Sequence, residues 1–294
     1  MEGWDYGLVL DYSGDGTPDY VWDDFSHFPQ QKHLLERVIH SLDGKSLDGV
    51  SSLRRLILFS GPALSGKSSF LKAFANQNSL KLYVVQVSKL LTGSFEGTAQ
   101  KVVDLFQLVR KISADDPVII HFDHLEFLGW EQLDPSDSGE FKRMVSVFIS
   151  ELADLAGGND RLIITAETSK PEIIDSSLRA RFLSVRLDVS SPEVRRLIWS
   201  DLQDRISQSV GDVSWDISAI VTATDGYQIG QFTQILTLAL LEYEKDKLER
   251  FSTDLILKQL DVVNRGEVEL SLSSDDIDLA ELSRLLEPYY RQGD

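Results

Sequence analysis

Nine consecutive residues, Gly61-Pro62-Ala63-Leu64-Ser65-Gly66-Lys67-Ser68-Ser69, place two glycines, a lysine and hydroxyls in the spacing G-x-x-x-x-G-K-[ST]. Glycines in that spacing let backbone N–H groups converge on phosphate oxygens at the start of a helix. Lys67 adds a cation for the β- and γ-phosphates, and the Ser68 hydroxyl offers an oxygen to Mg²⁺. The flanks agree with this chemistry: an apolar run, "LILFS", precedes the loop and a helix-like stretch, "SSFLKAFAN", follows it. The cofactors implied are ATP or ADP with Mg²⁺.

A second stretch, "VIIHFDHLE" from Val118 to Glu126, ends an apolar run on Asp123. A carboxylate at the C-terminal end of a strand is placed to face a phosphate loop and to serve its metal ion. A nucleotide hydrolase wants a water-activating carboxylate next, yet position 124 is histidine. An imidazole can accept a proton, but its geometry and charge differ from a carboxylate's. Glu126 and Glu167 are alternative carboxylates for the attacking water. His121 and His124 also suggest a metal pair, although no further ligands follow at metal-site spacing. Near the N-terminus, Asp11, Ser13, Asp15, Thr17 and Asp19 around Gly16 have the opening spacing of an EF-hand loop, with Trp22 where the closing glutamate belongs.

These residues need a scaffold, and 294 residues with 42% hydrophobic content suffice for a sizeable core and about two structural units. The runs "RRLILF", "KLYVVQV", "PVIIHF", "RLIITA" and "LSVRL" alternate with helix-length stretches, which predicts an α/β fold with a parallel sheet flanked by helices. After Ser191 and Pro192, a helix-start pair, the pattern turns helical, with helices centred on 195–207, 215–224, 230–243, 253–263 and 279–286. The expected division is an acidic extension over 1–20, a nucleotide-binding α/β unit over 21–190 and a helical lid over 191–294. A formal charge of −18 disfavours nucleic acid and anionic membrane surfaces as partners. Without cysteine there are no disulfides or thiolate metal sites, and neither a secretory leader nor a membrane-spanning segment is visible. A cytoplasmic protein is expected.

Taken together, the segments resemble the AAA+ ATPases, in particular the branch with katanin, spastin and the ESCRT-disassembly ATPase. "VWDDFSHFPQQKHLLERVI" is similar to the family's opening segment, whose backbone contacts adenine, with Ser26-His27 in place of paired glycines. "RLIITAETSKPEIIDSSLRARF" looks like the sensor strand and Arg-finger segment, with Pro171, Asp175, Arg179, Arg181 and Phe182 in matching places. "SFEGTAQKVVDLF" resembles the first pore loop, with Phe95 and Gly97 in the aromatic and glycine positions and Ser94 in place of the basic residue. "DGYQIGQFTQIL" resembles the lid turn, with Gln228 and Gln231 replacing small and acidic residues.

The resemblance implies a P-loop fold with a helical lid and a ring, a hexamer in the family, of identical or related subunits. Protein substrates or adaptors would be its partners. Arg179 or Arg181 would stabilise charge on a neighbour's γ-phosphate, while Asp123 and Ser68 would serve Mg²⁺. In the water-positioning apparatus the pattern breaks twice. His124 stands for the family's glutamate, and Ser169, beside Thr168, stands for the sensor asparagine. Two readings follow: a remodelling ATPase of weak hydrolysis, or an inactive subunit lending Arg fingers to an active partner. An isolated nucleotide switch would leave the arginines idle.

Overall fold

The computed structural model describes residues 8–12, 21–42, 55–91, 95–114, 116–129, 138–158, 161–210 and 213–265. The EF-hand-like loop beyond Tyr12 and the expected helix over 279–286 lie outside them. By internal contacts the chain divides into two units: Met1–Trp22, Pro29–Gly61 and Leu71–Leu187 form one, and Asp23–Phe28, Pro62–Phe70 and Asp188–Asp294 the other. Two early segments, one of them most of the phosphate loop, group with the later helices, a tertiary association that local composition does not encode.

The first unit is built on β1 (Val9–Asp11), β2 (Leu56–Ser60), β3 (Lys81–Gln86), β4 (Val118–Asp123), β5 (Leu162–Thr168) and β6 (Leu183–Arg186), in spatial order β1-β3-β4-β5-β2-β6. The pairs β3/β4, β4/β5, β5/β2 and β2/β6 are parallel. Helix α1 (Pro29–Leu42) precedes β2, and parallel neighbours need long crossovers, which α2 (Lys67–Gln77), α3 (Phe95–Ile112) and α4 (Ser138–Gly158) provide. Burial of every residue of β2 and β5 explains why "LILF" and "LII" read as apolar runs instead of alternating ones. Ser60 lies opposite Thr168, and Gln86 opposite Asp123, so the turns after β2, β4 and β5 leave the same edge of the sheet.

One face of the sheet packs Ile120, Phe122, Ile164 and Ala166 against α3 and α4. Phe106, Phe122 and Phe148 form its aromatic centre, with ring centroids 5.2–6.1 Å apart. Arg110 and Glu151 pair at 2.8 Å where α3 meets α4. Strand β1 departs from the expected 1–20 extension. It joins β3 antiparallel with Val9 opposite Val85, and Tyr12 N donates to Leu82 O at 2.9 Å. Three residues are too few to show a period, but an open sheet edge supplies the backbone partners that stabilise them.

The second unit contains α6 (Pro192–Val210), α7 (Ile217–Ala223), α8 (Ile229–Lys245) and α9 (Thr253–Arg265), with a two-residue parallel ladder between β7 (Val213–Ser214) and β8 (Phe251–Ser252). Ser191 fills the expected start of α6 by its carbonyl, which accepts Arg195 N–H at 3.0 Å, while its hydroxyl turns to Glu193. The core gathers around fully buried Trp199, whose ring lies 5.1 Å from Phe232 and 6.0 Å from Trp215, and whose Nε1–H donates to Thr224 Oγ1 at 3.2 Å. Asp216 caps α7 by accepting Ser218 and Ala219 N–H.

Candidate active site

The phosphate loop connects β2 to α2. Gly66 has φ +88°, a left-handed backbone that a side chain would strain, and its carbonyl accepts Phe70 N–H at 2.8 Å to begin the helix. Lys67 is only 7% exposed, and its Nζ donates to Pro62 O at 2.9 Å, holding the ammonium against its own loop. The Ser65 and Ser69 hydroxyls are buried without a hydrogen-bond partner among the described residues, while Ser68 is half-buried. Buried hydroxyls left unbonded are costly unless something binds them, and a phosphate supplies the missing acceptors. Ala63 and Leu64 are exposed and Pro62 partly so. Leu64 has φ +64°; its carbonyl accepts Gly230 N–H at 3.1 Å, and a Cβ on Gly230 would come within 2.9 Å of Leu64 Cβ. Gly230 is therefore glycine because the loop crosses it closely.

At the end of β4 the chain turns sharply. His124 takes a left-handed conformation, φ +56° and ψ +56°, ahead of a single turn of 3-10 helix, Leu125–Leu128. Histidine visits that region more readily than bulky or branched residues do. Gly129 closes the turn: it bridges Ile174, and a Cβ there would lie 2.6 Å from Ile173 O. Only glycine lets the turn after β4 approach the segment after β5 so closely.

The turn brings His124, Glu126 and Ser169 together. Glu126 Oε1 lies 3.1 Å from His124 Nδ1 and accepts the Ser169 hydroxyl at 3.2 Å. His124 Nε2 is 3.6 Å from Asp123 Oδ1. The hydrogen bond to Glu126 raises the imidazole's pKa, against the effect of burial, to about 9. Burial pushes the Glu126 carboxyl up, but bonds from His124, its own backbone and Thr168 prevail and hold it near about 2. Asp123 is raised, first by burial and then by the Glu167 charge. At neutral pH, therefore, His124 is protonated and Glu126 is a weakly basic carboxylate.

The Arg-finger candidates sit just beyond β5. Asp175 caps α5 (Ser176–Arg179), accepting Ser177 and Leu178 N–H, and Leu178 anchors the turn in the core. Arg179 is exposed and its guanidinium donates to Pro171 O at 2.8 Å. Arg181 is exposed, and among the described residues its side chain makes no hydrogen bond or ion pair. Phe95 opens α3 and Gly97 lies in its first turn, partly buried.

Residues 57–188 match the family model "ATPase family associated with various cellular activities (AAA)". Over these residues the chain is similar to AAA domains. Over 240 residues it is 26% identical to spastin of Gallus gallus, covering 80% of this chain and 38% of that one. Over 239 residues it is 25% identical to vacuolar protein sorting-associated protein 4B of Mus musculus, covering 76% and 50%. The chain spans about half or less of the length of the curated relatives it matches. The crystal structure of the FIGL-1 AAA domain in complex with ADP superposes with a TM-score of 0.60 at 18% identity, over 99% of both chains, a likeness of fold.

In and around this region, several departures from the AAA pattern have structural work. Gln228 and Gln231 form a capping box at the start of α8, in which Gln231 Oε1 accepts Gln228 N–H at 2.9 Å. Ser26-His27 lies in a short turn, with the buried His27 ring 4.4 Å from that of Phe28. Arg195, unremarked in the sequence, is 2% exposed and binds Asp225 at 2.8 Å, Val221 O at 3.3 Å and Ser190 O, fastening α6 to α7. Its position on the buried stripe of an amphipathic helix was the available signal. Three more residues, His121, Thr165 and Glu167, form a buried polar group on β4 and β5. Among the described residues no helix is long and apolar enough to cross a membrane.

Proposed function

We propose that the chain binds Mg-ATP or Mg-ADP, assembles with copies of itself or with related subunits into a ring, and hydrolyses ATP poorly if left to its own residues. The nucleotide reading rests on the loop. Backbone donors at the start of α2, buried Lys67 and the unbonded Ser65 and Ser69 hydroxyls suit phosphate oxygens. Ser68 and Asp123 each offer an oxygen donor for Mg²⁺, whose chemistry would be to neutralise charge on the β- and γ-phosphates.

The observation that carries the impaired-hydrolysis reading is the Asp123–His124–Glu126–Ser169 corner. A general base must be unprotonated and sufficiently basic. His124, raised to about 9, already holds its proton at neutral pH, and Glu126, near about 2, has little affinity for one. The Ser169 hydroxyl is spent on Glu126. Each substitute for a water-positioning group is thus committed to another.

What remains intact points outward. Arg181 is exposed and, among the described residues, unengaged, in the place where the family carries a finger, and would serve a neighbouring subunit's nucleotide. Arg179, tethered to Pro171, fits better as the brace of that segment. Protein substrates, engaged through the Phe95–Gly97 segment or an adaptor, follow from the relatives and not from a feature of this chain. We therefore favour a regulatory subunit within a protein-remodelling ring. The deciding experiment measures nucleotide affinity and steady-state ATPase of the purified chain, alone and mixed with candidate AAA partners. Tight nucleotide binding, negligible turnover alone and an Arg181-dependent rise in the mixture are expected. Brisk turnover alone that ignores Arg181→Ala would sink the regulatory reading.

A further inference from the structure

Residues of β4 and β5 alternate between two faces. Ile120, Phe122, Ile164 and Ala166 enter the aromatic core, leaving His121, Asp123, Thr165 and Glu167 to the other face. His121, Asp123 and Glu167 each present one ligand atom, all within 4.8 Å of one another. His121 is 2% exposed, Thr165 0% and Glu167 7%. His121 Nδ1 lies 2.9 Å from Thr165 Oγ1. His121 Nε2 is buried without a hydrogen bond among the described residues, and Glu167 Oε2 lies 3.4 Å away.

The hydroxyl of Thr165 can fix the ring. With Nδ1–H donated to Thr165 Oγ1, Nε2 is an acceptor 3.4 Å from a carboxylate oxygen, and two acceptors that close call for a proton or a cation to serve both. One imidazole and two carboxylates, the imidazole oriented through its other nitrogen, is a donor set and supporting shell that suits divalent transition metals. Magnesium, which prefers oxygen donors and keeps its waters, has no use for the nitrogen.

We propose that His121 Nε2, Asp123 and Glu167 form a binding site for a divalent transition-metal ion, of the Zn²⁺, Co²⁺ or Mn²⁺ class, that fills without nucleotide. The site shares Asp123 with the proposed Mg-nucleotide site but does not rest on that reading. The competing arrangement is a metal-free relay, in which Thr165 donates to Nδ1 and Nε2–H points at Glu167. A titration separates the two.

The full chain, stripped of metal with a chelator that is then removed, is titrated with Zn²⁺ by calorimetry and with Co²⁺ by visible absorption, without nucleotide. One equivalent should bind with micromolar or tighter affinity, giving Co²⁺ ligand-field bands that Zn²⁺ abolishes and millimolar Mg²⁺ does not. His121→Phe and Glu167→Gln should each weaken binding by about tenfold or more, and the isosteric Thr165→Val by about tenfold through loss of ring orientation. His33→Ala, at an exposed histidine, should change nothing. Circular dichroism and thermal melting of each variant establish that it is folded. Absence of stoichiometric binding by the folded wild type overturns the proposal. So does binding that survives His121→Phe, or that is lost with His124→Gln alone, since both place the ion elsewhere. Nucleotide titration of wild type and Lys67→Ala, run separately in Mg²⁺, tells failure of this site from failure of the nucleotide reading.

Discussion

The phosphate loop and the corner at the end of β4 serve one kind of chemistry in the family, and this chain treats them oppositely. In the loop, Gly61, Gly66, Lys67 and Ser68 keep the full motif, and Lys67 is buried against its own loop. In the corner, His124 and Ser169 replace the family residues, and Glu126 binds both. The loop keeps its lysine, and the corner carries an imidazole at 124 where the family pattern has a carboxylate. The difference teaches that holding a nucleotide and cleaving it are separable. Binding uses backbone donors and one cation, while cleavage needs a single unprotonated base at one position.

The sharpest way to break the comparison is to restore the base. His124→Glu should raise steady-state ATPase by about a hundredfold, the lower end of what a positioned base contributes, provided Lys67 still binds nucleotide. The left-handed backbone at 124 costs a glutamate about 1 kcal/mol, so the variant should melt slightly earlier while turning over faster. Phosphate-release assays and calorimetric melting read the two effects independently. No gain in turnover would mean that Ser169, or the geometry of the turn, also blocks the reaction. Combining the change with Ser169→Asn distinguishes these.

Next in size is the loop. Lys67→Ala removes a charge-assisted contact worth about 1.5–3 kcal/mol, so nucleotide affinity should fall by about 10- to 100-fold in a fluorescent-nucleotide titration. Unchanged affinity would remove the basis of the contrast. Gly230→Ala probes the loop from the opposite side. Its Cβ meets Leu64 Cβ at 2.9 Å, which should cost about 1–3 kcal/mol of stability, seen as an earlier denaturant midpoint.

Much of this was legible in the sequence because the signals were local or periodic. The strands over 56–60, 118–123 and 162–168 read as largely apolar runs because nearly every residue in them is buried, and the phosphate motif fixes its residues by spacing alone. Asp123 drew attention by ending an apolar run, and His124 and Ser169 by their places in a family pattern. Who binds whom was not legible. That Glu126 takes both His124 and Ser169, 43 residues apart in the second case, depends on the register of β4 with β5. The same register brings His121 to Thr165 and Glu167, where the sequence had paired His121 with its neighbour His124 instead. Strand β1 escaped notice because three residues carry no period, and Gly129 because its reason is a backbone 44 residues downstream. Pairings across the sheet are properties of topology, and a single sequence records them only as unexplained polar residues in apolar strands.

The smallest expected effect concerns the corner's own ion pair, in nucleotide-free protein with chelator present. His124 is raised from 6.5 to about 9, so its contribution to stability is fully present below 6.5 and is lost as pH rises through about 9. Glu126 is lowered from 4.5 to about 2, so its contribution is present above 4.5 and is lost as pH falls through about 2. The two overlap fully between 4.5 and 6.5. Because the His124 side chain is 57% exposed, solvent screens the pair, and its worth is set at about 0.5–1 kcal/mol. The melting temperature of wild type should therefore exceed that of His124→Gln by a few degrees at most between pH 4.5 and 6.5, and the gap should close as pH passes 9. A gap that widened with rising pH would mean that the imidazole is neutral in the folded state. A neutral imidazole could accept a proton from water, and the corner would then have kept a base after all.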